Sequence, residues 1–497
     1  MLGPDILRGL RLKKLNSDSV IFTASTDFDD ILVNPVITIN KAHMVMLVAQ
    51  GIVKKAQGSK CLSGLKNIEL GMVLNPDLED VHMNVEFQLI KNVGMDDGGQ
   101  INLAKSRNDQ VSTAIRIALR SYLLDIMLNL SDIRLVLLNK AKDNLETIMP
   151  SYTHLQHAQP TTLAHHLMAY HNSLQRDSER LVDAYSRLNL CPLGSAALAS
   201  TSIKIDREYT SSLLGFDGLI ENSMDAVSSR DFAIEIISNL VLVMTNLSRI
   251  AEELVLWSSS EFGILEISDE YASTSSIMPQ KKNAVVAELV RGKTSTVYGD
   301  MMAAVSIMKS LPYSYNIDMQ QLTPHIWSSC EITLTSISMV KGMIKKAVFN
   351  LDRLSELLED ELMLATDLAD YLAIKHDLPF RIAHLIVGIL VRKSVDQKMK
   401  FRDVILNDLS NTTKKFGNKN VSITHLELNK ILDPKTSIES KTIIGGPSSV
   451  TVLNMIKKGN KNLKINNTWI LSKIKNLNYA EKEFENTISA IIGGELN

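Results

Sequence analysis

The sequence predicts an all-α fold built around a bundle of long helices. Two observations carry this. Three stretches, Ser112 to Met149, Thr161 to Leu190 and Asp231 to Phe262, contain neither Gly nor Pro. Globular helices average only about 11–12 residues, so uninterrupted runs of this length are a helical signal. Two further stretches follow, Ala284 to Leu311 with Gly292 and Gly299 inside, and His325 to Asn350 with Gly342 inside. Five long helices in succession read as a bundle, the first extending roughly 50–60 Å.

Taken in order, residues 1–104 read as a small mixed or helical domain. They are broken by Asn34-Pro35, Gly51, Gly58, Gly64, Gly71 and Asn75-Pro76, and they end at the Asp96-Asp97-Gly98-Gly99 turn. Residues 105–352 hold the bundle. Residues 353–497 read as a small helical domain of short amphipathic segments, interrupted by Pro379, Pro434 and Gly445-Gly446-Pro447. The Lys- and Asn-rich tail beyond Lys457 is expected to be a solvated face, with a basic contact surface as the alternative.

In the first bundle helix, Ile115, Leu119, Tyr122, Ile126, Ile133, Leu137, Ala141 and Leu145 mark one stripe, while Leu123, Leu124, Leu128, Leu135 and Leu138 fall on other faces. A helix apolar nearly all round is buried on several sides. Either bundles from different subunits pack together, or the helix is enclosed by its own domain.

Composition excludes several classes. With 45% apolar and 22% charged residues, the chain is ordinary for a soluble globular protein. Fifty-three basic against 55 acidic residues give a net charge of −2, so no global field favours nucleic acid or acidic membranes. Cys61, Cys191 and Cys330 lie far apart without metal-ligand spacing, which suits a reducing, cytoplasmic setting. Met1 to Leu15 lacks the apolar core of a signal peptide. Apolar runs such as Met44 to Ala49 read as too short for a bilayer.

Three motifs sit where long helices begin or break. Ser275-Ser276-Ile277-Met278-Pro279-Gln280-Lys281-Lys282-Asn283 pairs hydroxyls with lysines, as a serine base beside a fixed positive charge would require. It also reads as a Ser-rich loop with a solvated Lys pair. Thr153-His154-Leu155-Gln156 lies between the first two long helices, and Pro160 suits the start of the second. There His154 is either an acid or base pointing across the bundle end or a loop histidine bonded to backbone. Ser106-Arg107-Asn108-Asp109-Gln110 precedes the first long helix, where Asn108 or Asp109 caps it. Arg107 and Asn108 at a helix N-terminus make a carboxylate site, or else a cap with a solvated Arg. Five of the eleven histidines fall between His154 and His171, but their spacing fits no metal-ligand pattern, and His165 and His166 read as polar residues packed between helices.

Together these motifs resemble the argininosuccinate lyase family of the fumarase/aspartase superfamily. Ser276-Ile277-Met278-Pro279 resembles the superfamily. Gln280-Lys281-Lys282-Asn283 and Ser106 through Val111 resemble the argininosuccinate branch, beside Thr153-His154-Leu155-Gln156 with Ala158-Gln159-Pro160. Asp80-Val81-His82-Met83-Asn84, Pro192-Leu193-Gly194-Ser195, Asn222 through Val227 and Ala365 through Leu372 add further matches, in family order from about residue 20 to 450. Leu322-Thr323-Pro324 is similar to the archaeal-type variant.

The resemblance implies a three-domain, all-α homotetramer with a twenty-helix core and active sites built from three subunits. It implies reversible cleavage of argininosuccinate to arginine and fumarate in arginine biosynthesis, with no metal or organic cofactor. By the same resemblance Ser275 is the base that removes the succinyl proton. Lys281 and Asn283 hold the aci-carboxylate, and His154, oriented by Glu288, serves the departing nitrogen. Ser106, Arg107, Asn108 and Thr153 bind the succinyl end, Tyr315 and Gln320 meet the arginine part, and Ser25, Asp80, His82 and Arg230 complete the set.

Departures from the family are Thr274 for Gly, Ala284 for Pro, Leu103 for a hydroxyl residue near the substrate, Ser229 for Asp and Thr323 for a substrate-side Lys. Leu103 and Thr323 motivate one alternative, a lyase for another N-substituted succinate; from a different class comes a second, a catalytically silent structural homologue. Retention of Ser275, Lys281, His154 and Glu288 argues against the second.

Overall fold

The computed structural model describes residues 16–494; the Met1 to Leu15 segment discussed above lies outside the described residues. The five long helices are present as Arg107–Asp143, Leu163–Leu188, Asp231–Trp257, Val285–Met308 and Thr323–Lys346. The first packs against the second and fifth, and the third against the second, fourth and fifth. Before them come Val33–Ala49, Lys55–Glu69 and Val81–Val93, whose apolar residues join the same core as the bundle.

The start of the first bundle helix differs from the expected cap. Ser106 is the N-cap, and Asp109 closes a capping box by accepting the Ser106 N–H at 2.9 Å. Asp109 also accepts the Gly194 and Ala196 N–H groups at 3.0 and 2.8 Å, so one buried carboxylate ties the helix start to the 194–196 turn. Further along, Arg116 donates to the Arg187 and Leu188 carbonyls at 2.8 and 2.9 Å. A guanidinium there satisfies orphan carbonyls at the end of the second helix and suits its dipole.

The second reading of this helix holds. Leu123, Leu124 and Leu138 are buried by neighbours of the same chain, and only Leu135 among the off-stripe leucines is exposed. The helix therefore gives no argument for an oligomer.

Two of the structural outcomes differ from the sequence expectations. A helix of 45 residues, Ser449–Gly493, runs back along the first two bundle helices. Val452, Ile456, Leu463, Ile470, Phe484, Ile488 and Ile491 enter the main core, while Leu364 to Leu432 form a separate core of their own. The packing thus differs from the expected 353–497 domain at its end. Second, the stretches Asp30–Ala49 and Asp231–Trp257 are long and apolar enough to cross a membrane by length and composition. In this fold both are core helices, which explains their apolarity.

Candidate active site

A cavity of about 270 Å³ opens at the N-terminal end of the first bundle helix. Ser25, Asp80, His82, Arg107, Asn108, Tyr315 and Gln320 all line it, joined by Asp29 and Thr323. Asp80 N-caps the helix Val81–Val93 by accepting the Met83 N–H at 2.7 Å. Its other oxygen accepts from Arg107 Nη1 at 3.1 Å. Gln320 Nε2 donates to the Thr23 carbonyl at 3.1 Å, tying the segment before the fifth helix to the N-terminal wall. Asn108 donates to the Ala197 carbonyl at 2.9 Å.

Burial sets the electrostatics. The His82 imidazole is pushed down to about 4, chiefly by burial. Arg230 is fully enclosed beside Tyr315, and its Nε and Nη2 have no partner among the described residues, although Nη1 donates to the Val227 and Ser229 carbonyls. Buried guanidinium donors without partners are costly and suit an anionic or carbonyl ligand. Behind the wall, burial pushes the Lys105 ammonium down to about 7, and Lys105 donates to Asn40. Leu103 packs against the core rather than lining the cavity, and its carbonyl bonds His43 at 2.7 Å. The missing hydroxyl at 103 therefore leaves the cavity wall unchanged, whereas Thr323 is part of it.

The other half of the expected site lies elsewhere. Thr153 and His154 sit at the end of an antiparallel hairpin, Ile148–Thr153 with Gln156–Thr162. Pro160 is in its second strand, paired with Pro150, and the helix begins only at Leu163 behind a Thr162 cap. His154 and Leu155 form the two-residue turn with φ of 56° and 58°. Such turns require positive φ at both central positions and favour Asn-Gly, so a His-Leu pair is strained.

Ser275 and Lys281 lie in the loop of a second small hairpin, in which Ser273 pairs with Asn283 and Thr274 with Lys282. Ser275 Oγ accepts the Ile277 and Met278 N–H groups at 3.3 and 3.1 Å. Lys282 is anchored to Glu266 and Asp269 at 2.8 and 2.6 Å. Lys281 and Glu288 are exposed, and neither touches the cavity.

Helix length keeps the two halves apart within one chain. The 37 residues of the first bundle helix separate Arg107 from Asp143 by about 54 Å. The 11 residues from Asp143 to His154, even fully extended, span at most about 40 Å. The fifth helix tells the same story. Thr323 at its start lines the cavity, and Lys346 at its end pairs with Glu270, close to the Ser275 hairpin's anchor at Asp269. Tyr152 of the His154 hairpin packs 5.5 Å from Phe262, placing it at the same far end.

Sequence reasoning missed Asp29, Lys105 and the role of Asp109. No sequence motif marked Asp29 or Lys105; the structure adds a different sign, backbone strain around the proposed residues. Glu79, Ala104, Ser314, His154 and Leu155 all have positive φ, and each adjoins or lies within two residues of an expected site residue. His166 packs between helices as expected, bonding Glu253 at 2.7 Å, whereas His165 bonds Thr161 and the carbonyl of Gly445 in a turn, each at 2.9 Å.

Comparison with known proteins agrees with this geometry. Residues 21–299 match the lyase family, and residues 362–439 match the argininosuccinate lyase C-terminal family. The argininosuccinate lyase of Methanocaldococcus jannaschii is 44% identical over 458 residues, covering 91% of this chain and 93% of that protein. That of Methanosarcina mazei is 44% identical over 494 residues, covering 98% of each. Among solved structures, EDDS lyase in complex with formate superposes with a TM-score of 0.88 at 26% identity, covering 99% of this chain and 98% of that one. With its helical core, its motif order and these relatives, the chain belongs to the argininosuccinate lyase family.

Proposed function

We propose that the protein cleaves argininosuccinate reversibly to arginine and fumarate, in arginine biosynthesis in the cytoplasm. The observation that carries this reading is the convergence of Ser25, Asp80, His82, Arg107, Asn108, Tyr315 and Gln320, drawn from four separate chain segments, on one cavity.

In this mechanism Ser275 removes the proton from the succinyl carbon. The adjacent carboxylate takes up the negative charge, which Lys281 and Asn283 stabilise as it forms. The carbon–nitrogen bond then breaks, and His154, polarised by Glu288, supplies a proton to the departing guanidino nitrogen. Ser106, Arg107, Asn108 and Thr153 bind the succinyl carboxylates, with Arg230 contributing charge from beneath. Serine is a weak base at its ordinary pKa, so the step needs Lys281 close by and the Ser275 hairpin closed against water.

Because the two halves lie at opposite ends of the bundle, each complete site takes residues from neighbouring subunits of a homotetramer, three in all. A surface supports this assembly. On the fourth bundle helix Tyr298, Met302 and Val305 share one exposed apolar face, and a Cβ built on Gly292 or Gly299, at its border, would meet open space. An exposed apolar face bordered by glycines admits a second helix closely.

The test is ultraviolet detection of fumarate from argininosuccinate, with Ser275→Ala as control. Turnover lost by about 10³-fold or more in the variant is the expected result; near-normal turnover would refute the role of Ser275. A second reading, a lyase for another N-substituted succinate, is favoured by Thr323 in the cavity wall in place of a substrate-side Lys. A panel of succinyl-amines separates the two.

A further inference from the structure

One wall of the cavity depends on a carboxylate that no sequence motif singled out. Asp29 is buried at 4% exposure and lines the cavity. Its Oδ2 accepts the Ser25 hydroxyl proton at 2.6 Å and the Val81 N–H at 3.1 Å. Val81 opens the helix capped by Asp80, which in turn holds Arg107. The Ser25 N–H donates to the Glu79 carbonyl at 2.9 Å. Asp29 thus stands where the wall carrying Ser25 meets the wall carrying Asp80 and His82.

A hydroxyl has one proton and two lone pairs. With its proton committed to Asp29, Ser25 can offer the cavity only lone pairs, and it therefore selects an N–H donor. Resting on the lyase reading above, we propose that Asp29 is a positioning residue for substrate binding: it holds the Ser25 hydroxyl as a hydrogen-bond acceptor toward the amino-acid end of the substrate, whose ammonium supplies the donor. Without Asp29 the hydroxyl rotates freely and discriminates poorly between ammonium and carboxylate.

Burial is the main reason the Asp29 carboxyl is pushed up to about 6, against the lowering effect of its bonds to Ser25 and Val81. The charged and titratable groups around it are Asp30, Glu79, Asp80, His82, Arg107 and Tyr315. Protonation turns the carboxyl into a donor and releases the serine, so kcat/KM falls as pH drops through this range. His82, at about 4, titrates below it.

The experiment uses the assembled enzyme and steady-state kinetics on argininosuccinate. In Asp29→Asn, KM is expected to rise about tenfold with kcat within about twofold, the pattern of lost uniform binding. The step in kcat/KM near pH 6 disappears. Ser25→Ala raises KM similarly, and the double variant is no worse than Ser25→Ala, because Asp29 acts through Ser25. An unchanged KM in Asp29→Asn, additive losses in the double variant, or a retained pH step would overturn the proposal. If Asp29→Asn does not assemble, Ser25→Ala decides alone, and an unchanged KM there overturns it. Wild-type silence on argininosuccinate would instead refute the substrate reading, and the same comparison is then made on the succinyl-amine that is turned over.

Discussion

At the scale of the residue, the cavity and its surroundings are held by side chains buried in one protonation state. His43, His82 and His171 are pushed down to about 3, 4 and 4, each mainly by burial. The unfolded chain binds these protons from about pH 6.5 downward, and the folded chain does so only well below that. Stability contributed by each neutral histidine is therefore present above pH 6.5 and lost as pH falls toward the folded value. Asp29 and Asp109, both pushed up to about 6, act in the opposite sense, because the folded state holds their protons longer. His171, on the second bundle helix, lies far from the cavity, where the terminal helix meets the first two. Replacing it by Gln is expected to reduce the slope of unfolding free energy by about 1.4 kcal/mol per pH unit between pH 4 and 6.5. Denaturant titrations at stepped pH measure this; an unchanged slope would contradict the assignment. Residues legible in the sequence were those in motifs, such as Arg107 and Asn108. Asp29 and Lys105 were not, because their importance comes from burial and from partners distant in sequence, such as Val81 and Asn40.

At the scale of the element, three long helices were legible from the absence of Gly and Pro and two more from long stretches broken only by isolated glycines, and their observed ends differ from the expected ones by a few residues. The terminal helix was not, although its apolar residues Val452, Ile456 and Leu463 follow the helical period. Its abundance of Lys and Asn drew the reading to its solvated face. The hairpin carrying His154 was also illegible, since its turn uses His-Leu where the backbone calls for Asn-Gly. Gly459 shows how closely the terminal helix docks. A Cβ there would lie 2.8 Å from Leu138 Cδ2 and 3.0 Å from His171 Cε1. Gly459→Ala is expected to destabilise the protein by about 1–3 kcal/mol, overpacking outweighing the gain in helix propensity. Equilibrium denaturation checks it, and a stabilised variant would show that the helix moves away at little cost.

At the scale of the whole molecule, the helix that suggested assembly in the sequence is not the one that carries an exposed apolar face. The first bundle helix is buried by its own chain, whereas the exposed stripe lies on the fourth. The proposed mechanism requires assembly because of length: Arg107 opens the first bundle helix, His154 lies in the hairpin beyond its other end, and the intervening chain is too short to bring them together. The central claim is that each site borrows these residues from different subunits, and mixing inactive variants tests it most directly. Arg107→Ala and His154→Asn, each inactive alone, are unfolded together and refolded as mixed assemblies, and fumarate release from argininosuccinate is measured. Random mixing predicts recovery of up to about a quarter of wild-type activity, since a site is whole when it draws each residue from the variant that retains it. Mixed assemblies as inactive as either parent would contradict a site shared between subunits.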